Sequence, residues 1–176
     1  MTTSSNNRYI LTITCLFTGY LVAVPVKTQE TKETVEAVLK YWITVYGWPT
    51  AILHDNHQSF ASHLFSEMTK VFGITNKRTT RYWSQGNGKC ESQNKRIGGA
   101  IRAVLSSEKF REWDKWLKYV VFTLNSLKSS RTGVSPHFLV FGRELQSPRD
   151  LLLDESDLTG KLADRFRRQM AKTCRI

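Results

Sequence analysis

From Ile10 to Val26 the chain carries no formal charge, and Ile10-Leu-Thr-Ile-Thr14 within that run alternates as a half-buried strand does. Phe17-Thr-Gly-Tyr20 supplies a turn into a second strand, Tyr20 to Pro25, so the run predicts a hairpin over Tyr9–Pro25. It is short for a membrane-spanning helix and lacks a basic leader beyond Arg8, which argues against a span or a signal peptide. The period then changes to helical. Val35, Val38, Leu39, Trp42, Ile43 and Tyr46 share one stripe that stops at Gly47-Trp48-Pro49. Ile52 and Leu53 form a short strand leading to Asp55. Ser62 caps a helix carrying Leu64, Phe65, Met68, Val71 and Phe72, which ends at Gly73, and Ile74 to Arg78 reads as another strand. Ile97, Ala100, Ile101, Val104 and Leu105 give the next helix its apolar stripe; Trp113, Trp116, Leu117, Val120, Val121 and Leu124 do the same for the one after. The tryptophans are read as core. The order β-β-α-β-α-β-α-α is that of an α/β domain with a mixed sheet flanked by helices.

Composition changes the picture in one respect. A length of 176 residues suits one domain with a real core, and the formal charge of +11 suits a polyanionic partner. Between Asn76 and Arg111 the basic residues Lys77, Arg78, Arg81, Lys89, Lys95, Arg96, Arg102, Lys109 and Arg111 face only Glu91 and Glu108. Cys15, Cys90 and Cys174 are too scattered for a disulfide framework or a zinc module and point to an intracellular, reducing setting. His54 and His57 flank Asp55 but lack a third nitrogen or sulfur ligand, so a zinc site is not expected. After Leu153 the acidic Asp154-Glu-Ser-Asp157 precedes Leu158, Leu162, Phe166 and Met170 interleaved with Lys161, Arg165, Arg167, Arg168 and Lys172. This predicts a basic tail over residues 154–176, helical in pattern, behind a domain over 1–153.

The candidate chemistry is a pair of carboxylates. Asp55 lies in Ala51-Ile-Leu-His-Asp-Asn-His-Gln-Ser-Phe60 and Glu91 in Tyr82-Trp-Ser-Gln-Gly-Asn-Gly-Lys-Cys-Glu-Ser-Gln-Asn94, with 35 residues between them. Taken singly, Asp55 is an ordinary residue after a strand, and Glu91 an acid drawn to the positive end of its helix. Together they resemble the integrase catalytic core of retroviruses and LTR retrotransposons, Ty3/gypsy-like or BEL-like. There the second acid follows a strand in a pattern like D-N/Q-G-x-x-F, and the Glu lies in one like Y-H-P-Q-x-N-G-x-x-E-x-x-N. Tyr82, Gln85, Asn87, Gly88, Glu91 and Asn94 match the second pattern. Thr132-Gly-Val-Ser-Pro-His-Phe-Leu-Val-Phe-Gly-Arg143 is similar to the segment that closes such cores, so the resemblance runs from about Tyr9 to Leu153.

The resemblance implies a ribonuclease-H-like fold and Mg²⁺-dependent 3′-end processing and strand transfer on DNA. It makes Asp55 and Glu91 the catalytic, metal-holding acids, and Gln85, Lys89, Asn94, Lys95 and Arg96 the nucleic-acid contacts. It also implies homo-oligomers in intact relatives, no membrane, and a nuclear or cytoplasmic site of action. Two Mg²⁺ ions about 3.5 to 4 Å apart activate the attacking oxygen and stabilise the leaving one, and hard cations take oxygen ligands. The family's first acid lies on a strand preceding the Tyr9 strand, and no Asp or Glu occurs before Glu30. With two acids, Mg²⁺ or Mn²⁺ is expected to bind weakly, and the edge left beside the Tyr9 strand to be unpaired. A non-catalytic nucleic-acid-binding or self-association domain derived from an integrase is the other reading. His57 stands where the family favours Gly, which implies strain in the Asp55 loop; Trp83-Ser84 stand where it favours His-Pro.

Overall fold

In the computed structural model, residues 2–55, 57–79, 84–105 and 111–145 are described. Contacts divide the chain into two units, Met1–Thr123 and Leu124–Ile176. The predicted hairpin is present: β1 (Tyr9–Thr14) pairs antiparallel with β2 (Leu21–Val26), in a register running from Tyr9↔Val26 to Thr14↔Leu21. Cys15 N–H donates to Tyr20 O at 2.9 Å, and Gly19, at φ +76°, donates back to Cys15 O at 2.8 Å to close the turn. Alternation from the Cys15–Tyr20 pair turns the position of Pro25, which has no N–H, away from β1, so β2 is a natural edge. The same alternation points the backbone groups of Ile10, Thr12 and Thr14 to the opposite edge of β1.

The helical stripe from Val35 to Tyr46 is a single helical run in three parts: α1 (Thr31–Val38), a π-helical segment (Leu39–Ile43) and α2 (Thr44–Tyr46). Gly47 ends it at φ +83°, a conformation that costs other residues. The loop before α1 is closed by Glu33, whose carboxylate accepts from Lys27 N–H at 2.8 Å and Thr28 N–H at 2.7 Å. Next come β3 (Ala51–His54), α3 (Gln58–Ala61), α4 (His63–Val71) and β4 (Thr75–Arg78). β3 and β4 pair in parallel, from Ala51↔Thr75 to His54↔Arg78. Ser62 caps α4 as its side chain suggests, accepting from Phe65 N–H at 3.3 Å.

Among the described residues the strands form two separate two-stranded sheets, antiparallel β1–β2 and parallel β3–β4, in place of the single mixed sheet expected, and no ladder joins β1 to β3. Both sheets rest on one layer of side chains. Leu11 and Ile13 of β1 and Ile52 of β3 pack on Val38, Ile43 and Ile74. Behind them Val35, Phe65 and Met68 form a second cluster with Leu39, Ile52 and Phe60. Of the apolar residues predicted for α4, only Phe65 and Met68 point inward; Leu64, Val71 and Phe72 are exposed. Leu64 and Val71 lie on the edge of the stripe away from Phe65, about 100° and 120° around the helix from it, and Phe72 lies past the end of α4.

α5 (Ser84–Val104) and α6 (Trp113–Ser126) follow. Ile97, Ile101 and Leu105 are buried, while Val104 is exposed. Gln93 Nε2 donates to Gly19 O at 3.3 Å, tying α5 to the hairpin turn. On α6, Trp113, Leu117, Val120 and Leu124 are buried, whereas Trp116 is 39% exposed and does not join the core. Asn7 Nδ2 donates to Asp114 Oδ2 at 2.9 Å, holding the segment before β1 to the start of α6.

In the second unit, α7 (Pro136–Phe141) opens on Ser135, whose Oγ accepts from Phe138 N–H at 2.9 Å, with Pro136 in the first turn. Gly142 closes it in the left-handed conformation, and Val134, Phe138 and Leu139 form its buried cluster. The predicted tail over residues 154–176 lies outside the described residues.

Candidate catalytic carboxylates and nucleic-acid face

The site begins where β3 stops. Asp55 follows the last residue of the strand and is exposed, and its Oδ1 accepts from His57 N–H at 3.2 Å. His57 adopts an ordinary extended conformation, φ −69° and ψ 142°, so the expected strain is absent. Its ring has another use: Nδ1 accepts from Ser59 N–H at 3.3 Å and meets Ser59 Oγ at 2.8 Å, capping α3. Ser59 Oγ in turn donates to Gln29 O, which fastens the loop to the segment before α1. A side-chain cap thus does what a glycine does elsewhere by conformational freedom.

His54 is buried, with Nδ1 2.6 Å from Asp55 O and Nε2 2.6 Å from Asn76 Oδ1. Both ring nitrogens are engaged, so His54 offers none to a metal. The sequence reading missed this role; its only signal was a polar residue at an inward position of an apolar strand. Asn76 and Gln93 were missed likewise, because their partners are distant in sequence.

Glu91 is exposed at the eighth position of α5, two turns beyond its start, and no acidic residue lies in the first turn. Attraction to the helix N-terminus therefore does not account for it. Asn94, Lys95, Arg96 and Arg102 are exposed on α5, and Lys95, one turn from Glu91, shares its face. Gln85 and Lys89 fall in the same helix, with side chains outside the description, as are Tyr82 and Trp83 altogether. Among the described residues, no group of three or more His, Cys, Asp or Glu gathers around a common point. The donor chemistry of Asp55 and Glu91, hard carboxylate oxygens, fits Mg²⁺ or Mn²⁺. Among the described residues, no helix is long and apolar enough to cross a membrane.

Two small sheets packed with helices, with a carboxylate at the end of β3, make this an α/β domain. A model of the integrase core domain matches residues 1–84. Over 145 residues the chain is 29% identical to the retrovirus-related Pol polyprotein from transposon 412 of Drosophila melanogaster, covering 82% of this chain and 12% of the polyprotein. The Pro-Pol polyprotein of simian foamy virus type 3 is 28% identical over the same length and coverage. The chain thus spans about an eighth of these curated relatives. A chain of the simian T-cell lymphotropic virus intasome, solved in complex with a PP2A regulatory subunit, has a TM-score of 0.64 at 19% identity, covering 78% of this chain and 50% of that one. The HTLV-2 integrase catalytic core domain, solved in complex with magnesium in a trimeric form, has a TM-score of 0.57 at 20% identity, covering 73% and 90%. Family model, relatives and fold together support an integrase catalytic core, of the kind carried in retroelement Pol polyproteins.

Proposed function

We propose that this domain serves DNA integration, with Asp55 and Glu91 as its metal-holding acids and Gln85, Lys89, Asn94, Lys95 and Arg96 as contacts to nucleic acid. The observation that carries the reading is the Asp55 carboxylate, exposed at the end of a strand in a fold like that of integrase cores, with its Oδ1 accepting from the His57 amide. When bound, Mg²⁺ or Mn²⁺ supplies an activated oxygen nucleophile and stabilises the leaving oxygen. The chain's own residues do the rest. Asp55 and Glu91 hold the cation, weakly as a pair, and Lys95 meets a phosphate on the face of α5 that carries Glu91. Residues 1–153 act as the core and 154–176 as a basic tail, in a homo-oligomer working on DNA inside the cell.

A second reading, a nucleic-acid-binding or self-association domain without catalysis, is favoured by the exposed Asn94, Lys95, Arg96 and Arg102, which need no metal to bind phosphate. Strand transfer with labelled DNA ends in Mn²⁺ or Mg²⁺ separates the two. The catalytic reading expects activity, highest when the chain is extended by a preceding acid-bearing strand and abolished by Asp55→Asn or Glu91→Gln. Silence in both forms, with DNA binding retained, sinks it in favour of the second. For the nucleic-acid face, Lys95→Ala should lower the slope of log affinity against log salt by about one; an unchanged slope removes Lys95 from the contact set.

A further inference from the structure

We propose that His54 is a positioning residue for the Asp55 carboxylate, its ring tying the Asp55 carbonyl to Asn76 on β4 and so setting where the carboxylate points. The inference rests on the reading of Asp55 as a cation ligand. His54 closes β3, and its ring is stacked on Phe60, with centroids 5.0 Å apart and planes at 25°. The edge of Phe65 meets it at 5.8 Å and 77°. Two aromatic neighbours fix the ring plane, and the two nitrogens fix its rotation. Nδ1 faces the Asp55 carbonyl at 2.6 Å. A carbonyl only accepts, so Nδ1 carries the proton and donates. Nε2 meets Asn76 Oδ1, also at 2.6 Å, which ties the far side of the ring to β4.

Asp55 is then held at three points. The carbonyl before it, His54 O, accepts from Thr79 N–H at 2.9 Å and from Thr79 Oγ1 at 3.1 Å. Its own carbonyl takes the His54 proton, which fixes the peptide leaving Asp55. Its Oδ1 takes the His57 amide, which selects one side-chain rotamer. Removing the ring nitrogens frees the Asp55 carbonyl, so the His57 amide alone no longer selects one rotamer. Partners of this kind, which touch a ligand rather than the cation, typically contribute 10- to 100-fold in metal affinity.

The test uses the full chain. His54→Phe keeps the ring stack and removes both nitrogens; Asn76→Leu, at an exposed position, removes only the anchor. The first readout is the Asp55 side-chain rotamer from three-bond Hα–Hβ couplings. One rotamer is expected in the parent chain, rotamer averaging in His54→Phe, and partial averaging in Asn76→Leu, with the circular dichroism of all three alike. The second is Mn²⁺ affinity from paramagnetic broadening, with Asp55→Asn as the baseline; a loss of about 10-fold is expected in His54→Phe. Unchanged Asp55 couplings in His54→Phe overturn the proposal, and if that variant does not fold, unchanged couplings in Asn76→Leu do so. If parent and Asp55→Asn bind Mn²⁺ alike, the cation-ligand reading fails, while the couplings still decide what His54 does.

Discussion

Phe65 is where the core and the candidate site meet, and truncating it should cost more than any other single change on α4. Its side chain is 0% exposed, packs with Val35 and Met68, and meets the rings of Phe60 at 5.2 Å and His54 at 5.8 Å. Burying a Phe is worth about 1.5–3 kcal/mol, and each well-placed aromatic pair adds about 0.5–1.5 kcal/mol. Phe65→Ala should therefore lose about 3–5 kcal/mol, a cavity term included. A domain of this size has about 5–15 kcal/mol in all. The matched control is Val71→Ala on the same helix: Val71 is 75% exposed, and its loss should stay within about 0.5 kcal/mol. Urea unfolding followed by tryptophan fluorescence reads the difference. With a slope of roughly 2 kcal/mol per molar, the Phe65→Ala midpoint should fall by about 2 M and that of Val71→Ala should hardly move. Equal shifts in the two variants would refute the assignment of Phe65 to the core and Val71 to the surface.

Two further outcomes test local devices. Ser62→Ala removes the cap that accepts from Phe65 N–H and should cost about 1 kcal/mol, read from the same unfolding curves; no change would mean that water replaces the cap. Burial raises the Glu33 carboxyl, but hydrogen bonds from Thr28 Oγ1 and the Lys27 and Thr28 amides outweigh it and hold its pKa below the ordinary 4.5. A group lowered in the folded state adds stability that is present above its unfolded value and is lost as pH falls through the folded one. The thermal midpoint should thus fall less in Glu33→Gln than in the parent chain as pH drops from about 5 to about 3, and parallel pH profiles would contradict the carboxylate's role.

The site was legible in the chain to the extent that its residues are local. Asp55 after a strand and Ser62 as a cap each depend on neighbours within a few positions, and the structure places both as read; Glu91 lies in its basic helix but at the eighth position rather than at the opening. His57 went the other way. A missing glycine implied strain, yet the ring caps α3 and the backbone relaxes, an outcome set by where Ser59 and Gln29 come to lie. Trp116 belonged to the same apolar stripe as Trp113, but only one of the two found a covering surface.

The sequence by itself determined the β-β-α-β-α-β-α-α elements and their order, though not the short α3 and α7, because hydrophobic periods, turn glycines and side-chain caps act over a few residues. It also carried the motifs that resemble an integrase core. Only the tertiary structure decided the rest: which apolar positions are covered, that β1–β2 and β3–β4 share one layer of side chains without a common ladder among the described residues, and that His54 lies buried beside Asp55 and bonded to Asn76. Those outcomes rest on pairings between segments far apart in the chain. Such a pairing requires both partners to be in place at once, and no local period records it.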